Sequence, residues 1–303
     1  MLKILASDGM EAAAIADLQA KGHTVDQQFY EADVLGAKLA EYDVLVVRSA
    51  TKVRKPIIDE AKAAGKLKLV IRGGVGVDNI DVAYAEEQGI AVRNTPKASS
   101  ASVAELALGH MFALARFIGI ANVTMKDGQW NKKHYEGIEL SGKTLGFIGM
   151  GRIAQELAKR AEALGMTVIY NDLFEIKGLP ASYTSMSRED VLKNADFVTL
   201  HIPMPEDKQP VIQGEQLAMM KPTAFIINTA RGGLICEEGL CEALDNGVIA
   251  GAALDVFAEE PTKNERVMKH PKISLTPHIG GSTAEAQNRI GAEIVDIITG
   301  FFG

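Results

Sequence analysis

The sequence predicts an α/β protein made of two doubly wound parallel-sheet domains. Two observations lead there. Over residues 1 to about 95, short runs rich in β-branched residues alternate with helical patterns, and from Leu145 the same alternation begins again. Between them lies a long apolar helical stretch, which separates the two sheets. A chain of 303 residues has room for two ordinary domains.

In the first half, strands are expected over 2–6, 44–47, 67–71 and 90–92, with helices over 10–21, 56–64 and 82–88. The second of these strands feeds Arg48-Ser49-Ala50-Thr51-Lys52 and the third feeds a glycine-rich loop over 72–79. Both loops leave the C-terminal ends of parallel strands, where open α/β sheets bind ligands. A single helix is expected over 102–125, with Val103, Leu106, Leu108, Met111, Phe112, Leu114, Phe117 and Ile118 nearly encircling it. Such a helix needs cover on several sides, from another domain or another subunit.

The second half opens with the run Leu145-Gly146-Phe147-Ile148, breaks at Gly149-Met150-Gly151, and resumes with Ile153, Leu157, Ala161 and Leu164 at helical spacing. Gly149 permits the turn, Gly151 lets backbone approach a pyrophosphate, and Ala154 lets helix pack closely on strand. The helix N-terminus offers N–H groups and a partial positive charge to phosphates, and Arg152 at that end implies an anion to neutralise it. A strand over 166–170 closes on Asp172, whose carboxylate can accept from a ribose 2′-OH and would repel a 2′-phosphate. Neither Leu173 nor Phe174 is cationic, so NAD is expected rather than NADP. Further strands are expected over 197–202, 224–229, 249–256 and 273–276, giving five or six in this sheet. The final helix, 283–299, carries Ile290, Ile294, Ile297 and Ile298 on one side and can return to the first domain.

Composition excludes several classes of function. Apolar residues at 47% and charged residues at 23% belong to a folded globular protein. A net charge of -7 argues against nucleic acid or an anionic membrane as partner. The two cysteines, Cys236 and Cys241, form no metal or disulfide pattern, so a reducing compartment and no metal are expected. The N-terminus has too short an apolar run for a signal peptide, and the apolar stretch over 106–115 is too short for a bilayer. A cytoplasmic location is the expectation.

Four ionisable side chains fall at or just past strand ends in the second half: Arg231, Asp255, Glu260 and His278. A hydride transfer from a hydroxyl carbon to nicotinamide needs one group to exchange the hydroxyl proton and one to polarise the carbonyl. His278 suits the first task, with Glu260 as its neighbour. Arg231, a planar fork that keeps its charge, suits the second. Asp255 can accept from the nicotinamide carboxamide.

The segments Thr229-Ala230-Arg231-Gly232-Gly233, Leu254-Asp255-Val256-Phe257 with Glu259-Glu260-Pro261, and Pro277-His278-Ile279-Gly280-Gly281 resemble the successive signatures of the D-2-hydroxyacid dehydrogenases. The resemblance runs nearly end to end. It implies a Rossmann dinucleotide-binding domain, 98–281, inserted into a flavodoxin-like substrate-binding domain, 1–97 and 282–303. It also implies that Arg231, Glu260 and His278 are the catalytic trio, and that Ile153, His201, Pro203, Thr229 and Gly280 join the cofactor site. Backbone N–H groups at Val75 and Gly76 would hold a substrate carboxylate, with Ser49 and Asn79 nearby. The runs over 47–52, 72–79 and 125–130 resemble members that act on a phosphorylated hydroxy acid, which would assign Arg48 and Arg72 to the phosphate. Many relatives have threonine where this chain has Val75. The chain stops at Gly303, so the serine-binding regulatory domain of many relatives is not expected.

Two alternatives stand beside this expectation. An unphosphorylated hydroxy acid would fit the same trio, but it leaves the cations Arg48, Lys52, Arg54 and Arg72 without a second anion. An NAD-sensing corepressor would share the fold, yet it needs a peptide groove and a regulatory tail. The encircled apolar helix points to a homodimer, from which Lys132 or Lys133 of a second subunit would reach the phosphate.

Overall fold

Every strand pairing in the computed structural model is parallel, and the model describes residues 1–303 as two units, Met1–Ser99 with Gly281–Gly303 and Ser100–Gly280. The first unit runs β1 (Lys3–Ala6), α1 (Ala12–Ala20), β2 (Thr24–Asp26), α2 (Ala32–Lys38), β3 (Val44–Val47), α3 (Lys55–Ala64), β4 (Leu69–Arg72), α4 (Val82–Glu87) and β5 (Ala91–Asn94). Its sheet has the order β2-β1-β3-β4-β5, the flavodoxin-like arrangement. All four residues of β3 are buried, as a strand covered by helices on both faces requires. The sequence reading missed β2, a three-residue edge strand with no fully buried residue and hence little hydrophobic pattern. The strand that feeds Arg48 is therefore the third of the chain.

The second unit runs α5 (Ser100–Arg116), α6 (Ile118–Lys126), β6 (Thr144–Ile148), α7 (Arg152–Ala163), β7 (Thr167–Asn171), β8 (Thr184–Ser185), α8 (Arg188–Asn194), β9 (Phe197–Leu200), α9 (Gly214–Ala218), β10 (Phe225–Asn228), α10 (Glu237–Asp245), β11 (Gly251–Leu254), α11 (Glu265–Met268) and β12 (Ile273–Leu275). Its seven strands have the order β12-β11-β10-β9-β6-β7-β8. The count exceeds the expected five or six because β8, two exposed residues, is too short to show a period. Chain order reverses between β6 and β9, and a dinucleotide fold keeps its crevice at that switch point.

The single helix expected over 102–125 is two helices, bent by 64° at Phe117, whose φ is 57°. The break has a visible cause. Ile138 N donates to Ala115 O at 2.9 Å, so the returning chain takes a carbonyl that a continuing helix would have used. Beyond the bend, α6 buries none of its residues and exposes Ile118, Ile120, Val123 and Met125. No single helix is long and apolar enough to cross a membrane. The last helix, α12 (Ala284–Phe302), packs Ile290, Ile294 and Ile298 against Ile4, Val44 and Leu69 and so belongs to the first unit.

Asp196 ties the starts of the central strands together. Its carboxylate accepts from Thr144 N and from Lys221 Nζ, each at 2.8 Å. Burial alone would raise this carboxyl, but the Lys221 hydrogen bond, the Thr144 amide and nearby lysine charge outweigh it and hold it below its ordinary value of 3.8. A lowered carboxyl stabilises the fold above the unfolded value and loses that contribution as pH falls through the folded one. Asp196→Asn should therefore lower Tm at pH 7 by about 3 °C, roughly 1 kcal/mol for a unit of this size. The gap from the wild type should close on acidification below 3.8, as followed by circular dichroism melts.

Candidate active site

At the switch point of the second unit, the turn after β6 is shaped by close approach. Gly149 has φ 91°, and a Cβ there would lie 2.6 Å from the carbonyl oxygen of His201, just past β9. Only glycine fits. Gly151 is different: a Cβ on it would meet nothing within 4 Å, so the protein itself does not require the small residue. It caps α7 without any side-chain hydrogen bond, which leaves the first N–H groups of the helix, from Arg152 and Ile153 onward, for an outside acceptor. Asp172, one residue past β7, accepts from Met150 N at 2.7 Å and from Phe174 N at 3.0 Å. The acid expected at the ribose thus also holds the glycine turn.

Two buried polar atoms on this side of the sheet have no partner, Thr229 Oγ1 and His201 Nδ1. Burial pushes the His201 imidazole down to about 3, so it is neutral, with Nε2 on Thr199 Oγ1 at 2.9 Å. Pro203 lies exposed in the loop that follows. An uncapped helix start, an open glycine and unpaired polar atoms fit a bound dinucleotide.

Past β10, β11 and β12 the loops bring the ionisable residues together. His278 Nδ1 and Glu260 Oε2 lie 2.6 Å apart, with 39% and 35% of their side chains exposed. Burial alone would raise the Glu260 carboxyl, but the hydrogen bond and charge of His278, the Phe257 amide and the charge of Arg231 bring it below its usual range. Glu260 is therefore the anion of the pair. Arg231 donates to the Ala230 carbonyl at 2.6 Å, and its own carbonyl accepts from Asn228 Nδ2 at 2.8 Å. The next residue explains the proximity: a Cβ on Gly232 would fall 1.7 Å from the carbonyl oxygen of Phe257. The loop after β10 can lie on the segment leading to Glu260 only because residue 232 has no side chain.

Asp255, expected at the nicotinamide, is buried and already occupied. Oδ1 accepts from Thr276 Oγ1 at 2.6 Å and Ile279 N at 2.8 Å, and Oδ2 accepts from Gly280 N at 2.9 Å. Gly280 is itself buried, its N–H spent on this contact. Both residues hold the loop that carries His278.

In the first unit, Val47 pairs with Arg72, so Arg48 and the glycine loop leave adjacent strands at the same end. Arg72 Nη2 donates to Ser49 Oγ at 3.2 Å, linking the two loops. Asn79, expected at the substrate, donates to the carbonyls of Arg48 and Thr51, each at 2.7 Å, and so braces the first loop. Asn94 does the same for the second through the Val75 carbonyl, with Gly76 following it. Arg54, one of the four cations counted in the sequence, is paired with Asp81 at 2.8 Å. Sequence reasoning missed Asp8. Its carboxylate accepts from Arg48 N at 2.6 Å, Thr51 N at 3.0 Å and Thr51 Oγ1 at 2.6 Å. Its position two residues past a strand end, the pattern that flagged Asp172, was the available signal. Lys132 and Lys133 lie exposed in a short 3-10 helix of the second unit.

Comparison with known proteins points to the same fold and to a dinucleotide-binding unit. Residues 108–280 match the family model described as D-isomer specific 2-hydroxyacid dehydrogenase, NAD binding domain. The chain is 46% identical to the D-3-phosphoglycerate dehydrogenase of Methanocaldococcus jannaschii, over 98% of this chain and 57% of that one. It is 48% identical to the hydroxypyruvate reductase of Thermotoga maritima, over 90% of this chain and 89% of that one. A Thermus thermophilus protein of solved structure superposes with a TM-score of 0.88 at 33% identity, covering 97% of this chain and 94% of that one. The chain thus spans little more than half of the phosphoglycerate dehydrogenase it matches and most of the reductase. A family model that covers more than half of the residues, on a fold with these sheets and this site, makes the chain a member of the D-isomer specific 2-hydroxyacid dehydrogenase family.

Proposed function

We propose that this chain is an NAD-dependent oxidoreductase that interconverts D-3-phosphoglycerate and 3-phosphohydroxypyruvate, the entry to serine synthesis. The observation that carries the chemistry is the 2.6 Å pair of His278 and Glu260 under the charge of Arg231. NAD, when bound, accepts the hydride. His278 uses Nδ1 toward Glu260, which leaves Nε2 to take the proton of the substrate hydroxyl, and the Glu260 carboxylate stabilises the imidazolium that results. Arg231 supplies a fixed positive charge for the carboxylate and the developing carbonyl. Asp172 supports NAD over NADP, because a 2′-phosphate would meet its negative charge.

The phosphate rests on Arg48 and Arg72, which leave neighbouring strands in a chain of net charge -7. Arginine meets phosphate oxygens in a bidentate way that lysine does not. One observation favours a second reading, reduction of hydroxypyruvate or glyoxylate: the Thermotoga reductase matches this chain over nearly its whole length. The apolar outer face of α6 supports a homodimer, with Lys132 or Lys133 of a second copy at the phosphate.

Three measurements test this. Steady-state rates with 3-phosphohydroxypyruvate and hydroxypyruvate should favour the phosphorylated acid, and Arg72→Ala should cost it about a hundredfold in kcat/KM, or 2–3 kcal/mol, while sparing hydroxypyruvate. A preference of the wild type for hydroxypyruvate would establish the second reading instead. His278→Ala should lower kcat by roughly 10²–10⁴-fold with the Kd for NADH unchanged; near-normal turnover removes the histidine from the chemistry. In titrations of Asp172→Ala, affinity should fall for NADH more than for NADPH, and an unchanged ratio would place the discriminating group elsewhere.

A further inference from the structure

The helix α5 buries one histidine, His110, 3% exposed, against the strand that leads to the His278 loop. Its Nδ1 lies 2.9 Å from Ser274 Oγ and its Nε2 lies 3.0 Å from Thr276 Oγ1. Proton counting fixes the direction of each bond. The single hydroxyl proton of Thr276 goes to Asp255 Oδ1 at 2.6 Å, so Thr276 can only accept from His110, and Nε2 carries the hydrogen. Burial holds the imidazole below its ordinary value against the pull of Asp255, the charged group that faces it, so the ring is neutral and Nδ1 accepts from Ser274. The chain of bonds continues past Asp255 to the N–H groups of Ile279 and Gly280, the two residues after His278.

His278 itself has φ 53°, a left-handed conformation that is unfavourable for a non-glycine residue and persists only where its surroundings impose it. Its own N–H donates to the Thr276 carbonyl at 3.1 Å, and Asp255 takes the amides of the two residues that follow. The N–H of His110 adds a second bond to the Thr276 hydroxyl that donates to Asp255, and the members of a buried hydrogen-bonded chain strengthen one another.

We propose that His110 is a positioning residue, which orients Thr276 and Asp255 and thereby sets the backbone that presents His278. It touches no reacting atom. The proposal rests on the assignment of His278 to proton transfer, and the experiment keeps the two apart.

Three variants are compared with the wild type: His110→Leu, which removes the donor; His110→Gln, which returns an N–H near the place of Nε2; and His278→Ala. Amide hydrogen exchange at Ile279 and Gly280 should be about tenfold faster in His110→Leu and near wild type in His110→Gln, with amides of α10 unchanged in both. With NADH and the better of 3-phosphohydroxypyruvate and hydroxypyruvate, kcat should fall about tenfold in His110→Leu, recover in His110→Gln, and leave the Kd for NADH as it was. Thermal melts give a third reading. Because folding lowers the imidazole pKa, wild-type stability should decline as pH falls below 6.5, and either substitution at His110 should lessen that decline. Equal exchange at Ile279 and Gly280 in wild type and His110→Leu overturns the proposal, whether or not the chain turns over. So does faster exchange with unchanged kcat. Normal turnover in His278→Ala would instead overturn the assignment on which the proposal rests.

Discussion

Three carboxylates, each one or two residues past the end of a parallel strand, hold the loop that leaves the strand beside it. Asp8 follows β1 and takes two amides after β3; Asp172 follows β7 and takes an amide of the turn after β6; Asp255 follows β11 and takes two amides after β12. In each case the two strands are neighbours in the sheet. Past a strand end the ladder stops, yet the next N–H groups still need acceptors. Water could serve, but it would not fix a direction. A carboxylate gives charge-assisted bonds to two donors at once, so each loop is held in one shape.

What the carboxylates pull together, missing side chains allow to meet. Gly149 lies against the His201 carbonyl and Gly232 against that of Phe257. Neither contact could survive a methyl group without moving a loop. The result brings Arg231, Glu260 and His278, three residues from three separate loops, into one electrostatic group. Gly151 shows the opposite case. Space beside it is open, so no contact within the chain accounts for its small size.

Elements with a strong local period were legible in the sequence. The buried strands β3, β6 and β10 show continuous apolar runs, and α12 shows its isoleucine stripe. The missed strands β2 and β8 have two or three residues each and no buried face. The bend at Phe117 was invisible because its cause is Ile138, twenty-one residues further on, and not a proline or glycine at the break. Site residues followed the same rule. Asp172 and His278 sit in motifs, whereas the partners of His110 are 164 and 166 residues away, and no local pattern couples positions so distant.

The cations of the first unit show how structure changes a count made on sequence. Four were available beside the two loops, Arg48, Lys52, Arg54 and Arg72. Arg54 is engaged by Asp81 and by the carbonyl of Asp78, so it braces the loop from below. Arg48 has its backbone fixed by Asp8 and Asn79, and Arg72 reaches across to Ser49. Asp8 binds the backbone of Arg48 and not its fork, and this division matters for an anion site. A carboxylate paired with the guanidinium would neutralise it, but one spent on the amide of the same residue holds the backbone and leaves the guanidinium charge unneutralised by that carboxylate. In the proposed function, the selection between a phosphorylated and an unphosphorylated hydroxy acid rests on Arg48 and Arg72, in a protein whose net charge is otherwise acidic.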